Sequence, residues 1–63
     1  MRFLKVKTIS SFLVINLSRI IAIRNTSIGI SKSVIITDED EYCSIETPEE
    51  IYDKIQELLN TTI

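Results

Sequence analysis

A chain of 63 residues has room for one small domain, and this one holds a single cysteine and no histidine. An internal disulfide is therefore excluded, as are a histidine-based catalytic centre and an ordinary zinc site. The net charge of −2 conceals a strong polarity, because positions 1–33 carry six basic residues and no acid, whereas positions 34–63 carry nine acids and one lysine.

Opposite charges in the two halves of a chain can neutralise each other within one molecule, pair head-to-tail between copies, or present one pole to a partner. The sequence leaves these three outcomes open. If the polarity serves self-assembly, we expect the oligomer to loosen as the salt concentration rises.

The first predicted element is a strand in residues 3–9, where the side chains alternate in character. Leu4 and Val6 form the set predicted to be buried, and Lys5 and Lys7 are predicted to lie in water. Residues 12–15 predict a second strand, and their apolar character favours a central position in the sheet.

Polar residues then interrupt the strand pattern at positions 16–19. The side chains of Asn16 and Ser18 compete for main-chain hydrogen bonds, which is typical of a bend, a bulge or one helical turn. A third strand is predicted in residues 20–24, followed by a loop in residues 25–32 that holds the only glycine.

A hairpin is predicted next, with a compact β run in residues 33–37, an acidic turn in residues 38–41 and a returning strand in residues 42–45. Cys43 in the returning strand is predicted to be a small buried hydrophobic residue. A single free cysteine also suits a reducing compartment, so we expect a cytoplasmic protein.

The clearest local signal is a helix start at Thr47-Pro48-Glu49-Glu50. It combines an N-cap threonine, a proline at the first helical position and a glutamate at the third, which is a capping box. The helix is predicted over residues 48–59 and to end near Asn60. One apolar stripe at helical spacing follows the cap and comprises Ile51, Ile55, Leu58 and Leu59.

These elements together predict an α+β fold, an antiparallel meander of about four strands followed by one C-terminal amphipathic helix packed on one face. Residues 1–63 are predicted to form this single small domain. At least one edge strand is left uncovered, and an open edge is either blunted by charge or used for pairing.

This order of elements resembles the FlbD-like family of small bacterial proteins, in which an apolar-Asn bend leads into an Ile-rich strand and a hairpin leads into a capped helix. The matching residues are Phe12, Asn16, Ile20, Tyr42, Glu46, Thr47, Glu49, Glu50, Ile51 and Ile55. The hairpin turn departs from the family, since it has Asp38-Glu39-Asp40 where the family carries a glycine. The resemblance implies the fold, and the family is associated with flagellar gene sets.

No enzyme activity is expected from this inventory, because there is no histidine and Cys43 has no partner base. We also expect no cofactor and no metal site. The acidic run lacks the glycine and the spaced ligands of an EF-hand loop. A membrane span is not expected, since the apolar run in residues 12–23 is short and contains Arg19.

The function that we predict is a small protein-binding and assembly module, a homo-oligomer that self-associates through an edge strand, with the first strand or its edge as the contact surface. An unidentified protein partner is the related possibility. The candidate partner-binding residues are Lys5, Lys7, Arg19, Arg24, Asp38, Glu39, Asp40, Glu41 and Tyr52. Tyr52 is included because it lies beside the apolar stripe, where it is expected to contact a sheet edge or a second subunit.

Two other classes remain open. A regulator that binds nucleic acid would use Lys5, Lys7, Arg19 and Arg24, although an acidic chain repels phosphate at long range. An acidic inhibitory protein of phage or mobile-element type would instead use residues 38–41 to bind a basic protein. The uncharged tail in residues 59–63 is a candidate arm for contact with a neighbour.

Overall fold

The computed structural model describes residues 2–60, which form five strands, one 3₁₀ turn and one α-helix. In chain order they are β1 (Phe3–Lys7), β2 (Phe12–Asn16), the 3₁₀ turn (Leu17–Arg19), β3 (Ile20–Asn25), β4 (Ser33–Thr37), β5 (Glu41–Ser44) and α1 (Pro48–Asn60). The predicted α+β fold with strands first and one C-terminal helix is confirmed. The strands form two antiparallel sheets, β1-β2 and β3-β4-β5. The predicted tail beyond Asn60 lies outside the described residues.

The β1-β2 hairpin buries the predicted set of side chains. Leu4 and Val6 are fully buried, while Lys5 and Lys7 are exposed. The predicted central position of the second strand is wrong, because β2 pairs only with β1 among the described strands. Its apolar residues divide between a buried and an exposed face, so their number does not indicate strands on both sides.

The break after β2 is a single 3₁₀ turn, which decides between the predicted alternatives. The Asn16 side chain accepts a hydrogen bond from the Ser18 N–H at 3.1 Å and so caps the turn. A separate irregularity follows in β3, where the register passes from Ile20 to Ala22 and skips Ile21. The bulge lets Ile20 and Ile23, three residues apart, both pack on the core, and it leaves Ile21 68% exposed.

The core is formed where both sheets and the helix meet. Its buried members are Leu4, Val6, Ile15, Ile35 and Ile51. The helix packs against β1 and β3, and Ile51 is its fully buried residue. The helix therefore joins the two sheets, since one strand from each lies against it.

The predicted capping box is present at the start of the helix. The Glu50 N–H donates to the Thr47 hydroxyl at 3.1 Å, and the Thr47 N–H donates to the Glu50 carboxylate at 2.9 Å. These hydrogen bonds from the Thr47 backbone and side chain lower the pKa of Glu50. Two N–H groups that the first helical turn leaves unbonded are satisfied in this way.

Cys43 does not lie in the core, and its predicted burial is wrong. The period of β5 directs Tyr42 and Ser44 inward, so Cys43 is exposed on the opposite face. Ser44 is polar but can be buried, because its hydroxyl donates a hydrogen bond to the Lys7 carbonyl at 2.7 Å. Within residues 2–60, no helix has the length and apolar character needed to cross a membrane.

Candidate protein-binding surfaces

The predicted arginines and the predicted acidic turn lie together in the structure. Arg19 donates to the Glu39 carboxylate and lies 3.7 Å from Asp38, and both neighbours raise its pKa. Arg24 lies 3.7 Å from Glu41. All these side chains are exposed, so each pair contributes little to stability. These ion pairs neutralise part of the opposite charge of the two halves within one molecule.

The acidic run itself is a hairpin turn held by Thr37. The Thr37 N–H and hydroxyl both donate to the Asp40 carbonyl, at 2.9 and 2.8 Å. The Asp40 N–H in turn donates to the Thr37 hydroxyl at 3.0 Å, and the Asp40 carboxylate accepts the Glu41 N–H at 2.9 Å. Among the described residues, no three histidine, cysteine, aspartate or glutamate side chains converge as metal ligands.

The outer edge of β1, predicted as a contact surface, already bonds to the rest of the chain. Glu46, only 7% exposed, accepts from the Lys7 N–H at 2.8 Å and from Lys54 Nζ at 2.7 Å. Lys54 Nζ also donates to the Lys5 carbonyl at 3.0 Å, and the Ile45 N–H donates to the Lys7 carbonyl at 3.1 Å. Main-chain groups of Lys5 and Lys7 are thus occupied, which leaves less of this edge for a partner.

Sequence reasoning did not identify Glu46 and Lys54 as interacting residues. The available signal was that Lys54 is the only basic residue after position 33. A lone cation within an acidic segment suggests a specific partner, but only the folded chain brings Glu46, Lys54 and the edge of β1 together.

The edge of β3 is the most open strand edge in the described part of the chain. β3 pairs with β4 on one side and with no described strand on the other. The Thr26 N–H donates to the Lys32 carbonyl. Along an antiparallel ladder, every second residue of a strand directs its N–H and C=O to the same neighbouring strand. The main-chain groups of Ala22 and Arg24 therefore also face β4. The outward main-chain groups are those of Ile23 and Asn25, beside the bulged Ile21.

The edges of β2 and β5 are more restricted. The edge of β2 faces the β4–β5 turn across a narrow cleft of about 160 Å³, lined by Asn16, Arg19 and Glu39 among others. The end of β5 continues into Ile45, whose N–H bonds to β1. Of the edges of the three-stranded sheet, that of β3 is therefore the better suited to pairing.

A groove of about 570 Å³ runs between β3 and the first half of α1. Residues of β3 form one wall, and Pro48, Glu49, Tyr52 and Asp53 form the other. Tyr52 is 59% exposed, and it lines this groove opposite β3. The groove combines an unpaired strand edge with an aromatic side chain and two carboxylates.

A second exposed surface is the outer face of the β1-β2 hairpin. Phe3, Phe12 and Val14 on this face are each more than half exposed, and Lys5 lies beside Val14 and Lys7 beside Phe12. Lys5 Nζ lies 4.2 Å from the centroid of the Phe12 ring, a cation–π contact. Contiguous exposed apolar side chains are typical of interaction sites.

No family model, curated protein or solved structure matches this chain. The two exposed surfaces suited to binding are the β3 edge with its groove and the outer face of the hairpin.

Proposed function

We propose that this chain is a small, non-enzymatic protein-binding and assembly module that self-associates through the free edge of β3. The observation that carries the proposal is the open β3 edge beside a groove that exposes Ile21 and Tyr52. An edge strand of this kind binds a second strand through main-chain hydrogen bonds, while side chains in the adjoining groove add specificity.

A second copy of β3 is a suitable strand for this edge. Antiparallel pairing about a two-fold axis at Ile23 places Arg24 opposite Ala22 of the second copy, so no like charges meet. A two-fold axis at Arg24 would instead oppose the two Arg24 side chains, which is unfavourable. Charge therefore selects the register centred on Ile23.

The size of the domain also supports self-association. A domain of about 60 residues buries only about 60% of the surface that its unfolded chain exposes, and its stability is marginal. This chain has no disulfide to compensate, since Cys43 is its only cysteine. Pairing at β3 would bury Ile21 and part of Tyr52, both of which are exposed in one copy.

Sedimentation equilibrium of the intact protein and of the Ile21→Lys variant tests the proposal. We expect a dimer at about 100 μM and a dissociation constant raised at least about tenfold in the variant, because a lysine would be buried at the interface. Ile28→Lys is the matched control, since Ile28 is 75% exposed in the loop before β4 and should not affect assembly.

Two outcomes would contradict self-association through β3. A wild-type protein that stays monomeric would mean that the bulge and Arg24 blunt the edge, as in many natural sheets. Equal weakening by Ile21→Lys and Ile28→Lys would mean that the contact lies elsewhere.

The kinship with the FlbD-like family and a cytoplasmic location belong to the same proposal. The Asn16 turn, the β4-β5 hairpin and the helix capped by Thr47 support the kinship, because the family shares this order of elements. The single cysteine supports a reducing compartment. Fractionation of the source cells, with the protein recovered outside the soluble cytoplasmic fraction, would contradict the location.

A further inference from the structure

The outer face of the β1-β2 hairpin is basic and aromatic, and it is separate from the β3 edge. The alternation of β1 places Phe3, Lys5 and Lys7 opposite the buried Leu4 and Val6. The register adds the residues of β2, with Val14 beside Lys5 and Phe12 beside Lys7. Neither strand contains an acidic residue.

We propose that this face binds single-stranded nucleic acid, with bases stacked on Phe3 and Phe12 and phosphates held by Lys5 and Lys7. Every base presents a π-face, so exposed aromatic rings bind unpaired strands with little sequence preference. Phe12 lies opposite Lys7, four residues along β1 from Phe3, so the rings are separated by roughly 14 Å along the strands. Lys5 lies between them and can follow the phosphates of a strand that crosses the face.

The cation–π contact of Lys5 does not prevent stacking on Phe12. An exposed cation–π contact is weaker than the stacking of a base on an aromatic ring. A base that approaches Phe12 therefore displaces the Lys5 ammonium from the ring, where it now lies at 4.2 Å. The released ammonium is then close enough to bind the adjacent phosphate.

The net negative charge of the chain does not decide binding at this face. Charges are screened beyond about 8 Å at physiological ionic strength, so local side chains dominate the interaction with phosphate. The acids that border β1 are Glu46 and Glu57, which lie at its edge on the side of the helix. Glu46 is paired with Lys54 at 2.7 Å, which reduces its repulsion of a polyanion.

Fluorescence anisotropy of a labelled oligothymidylate, titrated with the intact protein at several salt concentrations, tests this proposal. We expect the Phe3→Leu/Phe12→Leu variant to bind at least about tenfold more weakly with an unchanged salt slope, because stacking is lost and the charge is kept. We expect Lys5→Gln/Lys7→Gln to reduce the slope of log K against log salt by about 1.4, or about 0.7 for each of two phosphate contacts.

The controls separate this site from other polyanion contacts. Lys32→Gln removes an exposed cation from the loop before β4, outside the face, and it should leave both affinity and slope unchanged. Circular dichroism of each variant checks that it remains folded, which is expected because all four substituted residues of the face are exposed.

Several outcomes would overturn the proposal. These are no binding of the oligonucleotide, equal binding by the wild type and the Phe3→Leu/Phe12→Leu variant, or binding to vesicles of phosphatidylserine and not to the oligonucleotide. The last result would assign the face to an anionic membrane surface. The proposal does not depend on pairing at β3, so a monomeric protein that binds the oligonucleotide would support it.

Discussion

The Glu46 carboxylate occupies a place at the edge of β1 that the main chain of another strand would otherwise take. It accepts the Lys7 N–H at 2.8 Å, as a strand carbonyl would, and it bonds to Lys54 on the helix at 2.7 Å. The Glu46 side chain is 9% exposed, against 38% for that of Lys54. The carboxylate therefore depends on its partners more than the ammonium does, because water reaches the lysine.

This asymmetry predicts unequal losses of stability at the two positions. We expect Lys54→Met to lower the free energy of unfolding by about 1–3 kcal/mol, because a mostly buried charge loses its counter-ion. Glu46→Gln should cost less, since an amide oxygen can still accept the Lys7 N–H. The double variant should be more stable than Lys54→Met alone.

Urea unfolding of the wild type, Lys54→Met, Glu46→Gln and the double variant measures these differences in the free energy of unfolding as a double-mutant cycle. Lys7→Met is the control, because it alters an exposed side chain and keeps the main-chain N–H that Glu46 binds. Losses that simply add in the double variant would show that Glu46 and Lys54 act independently, contrary to the geometry.

At the scale of elements, the start of α1 couples stability to pH. Hydrogen bonds from Thr47 lower the pKa of Glu50 in the folded state below the ordinary value of a glutamate. A group with a lowered folded pKa stabilises the protein fully above its unfolded pKa, and this stabilisation is lost as the pH falls through the folded pKa.

We therefore expect Glu50→Gln to be less stable than the wild type at pH 7 and the difference to be smaller at about pH 3, because protons then compete for the wild-type carboxylate. Urea unfolding at both pH values measures it. Glu49→Gln is the control for removing one negative charge from the same helical turn outside the capping box. A difference between wild type and Glu50→Gln that persists undiminished at pH 3 would contradict a role for the ionised carboxylate.

Local signals in the sequence were sufficient to predict most elements. The capping box at Thr47 and the stripe headed by Ile51 predicted the helix, and alternation predicted the burial of Leu4 and Val6. These features depend on near neighbours in the chain, so they can be read without the fold.

Features that depend on distant residues could not be predicted in the same way. The bulge at Ile21 arises because both Ile20 and Ile23 must reach a core that β1 and the helix help to form. Cys43 lies outward because Ser44 is needed inside to bond to Lys7, on a different strand. All the candidate binding residues except Tyr52 were predicted from their charge, whereas the structure pairs Arg19 with the acidic turn.

At the scale of the whole molecule, the charge polarity is partly resolved inside one copy. Arg19 and Arg24 from the basic half pair with the acidic turn, and Lys54 pairs with Glu46. Fewer basic side chains are then available for head-to-tail pairing between copies. The proposed self-association at β3 would rely instead on main-chain hydrogen bonds and apolar side chains, which salt does not screen.

This difference makes the response to salt a test of how the molecule assembles. A two-fold axis at β3 brings together two grooves that each carry Glu49 and Asp53, so acidic groups of the two copies repel one another. We expect the dissociation constant from sedimentation equilibrium to stay constant or fall between about 50 mM and about 1 M salt, as this repulsion is screened.

The opposite response would identify a different assembly. A dimer that loosens as salt rises would require attraction between unlike charges, such as Lys5 and Lys7 of one copy against the acidic helix start of the next. Such a contact joins two different surfaces, so it continues from copy to copy unless the ring closes. Loosening with salt, together with species larger than a dimer, would therefore replace the β3 pairing with a head-to-tail chain.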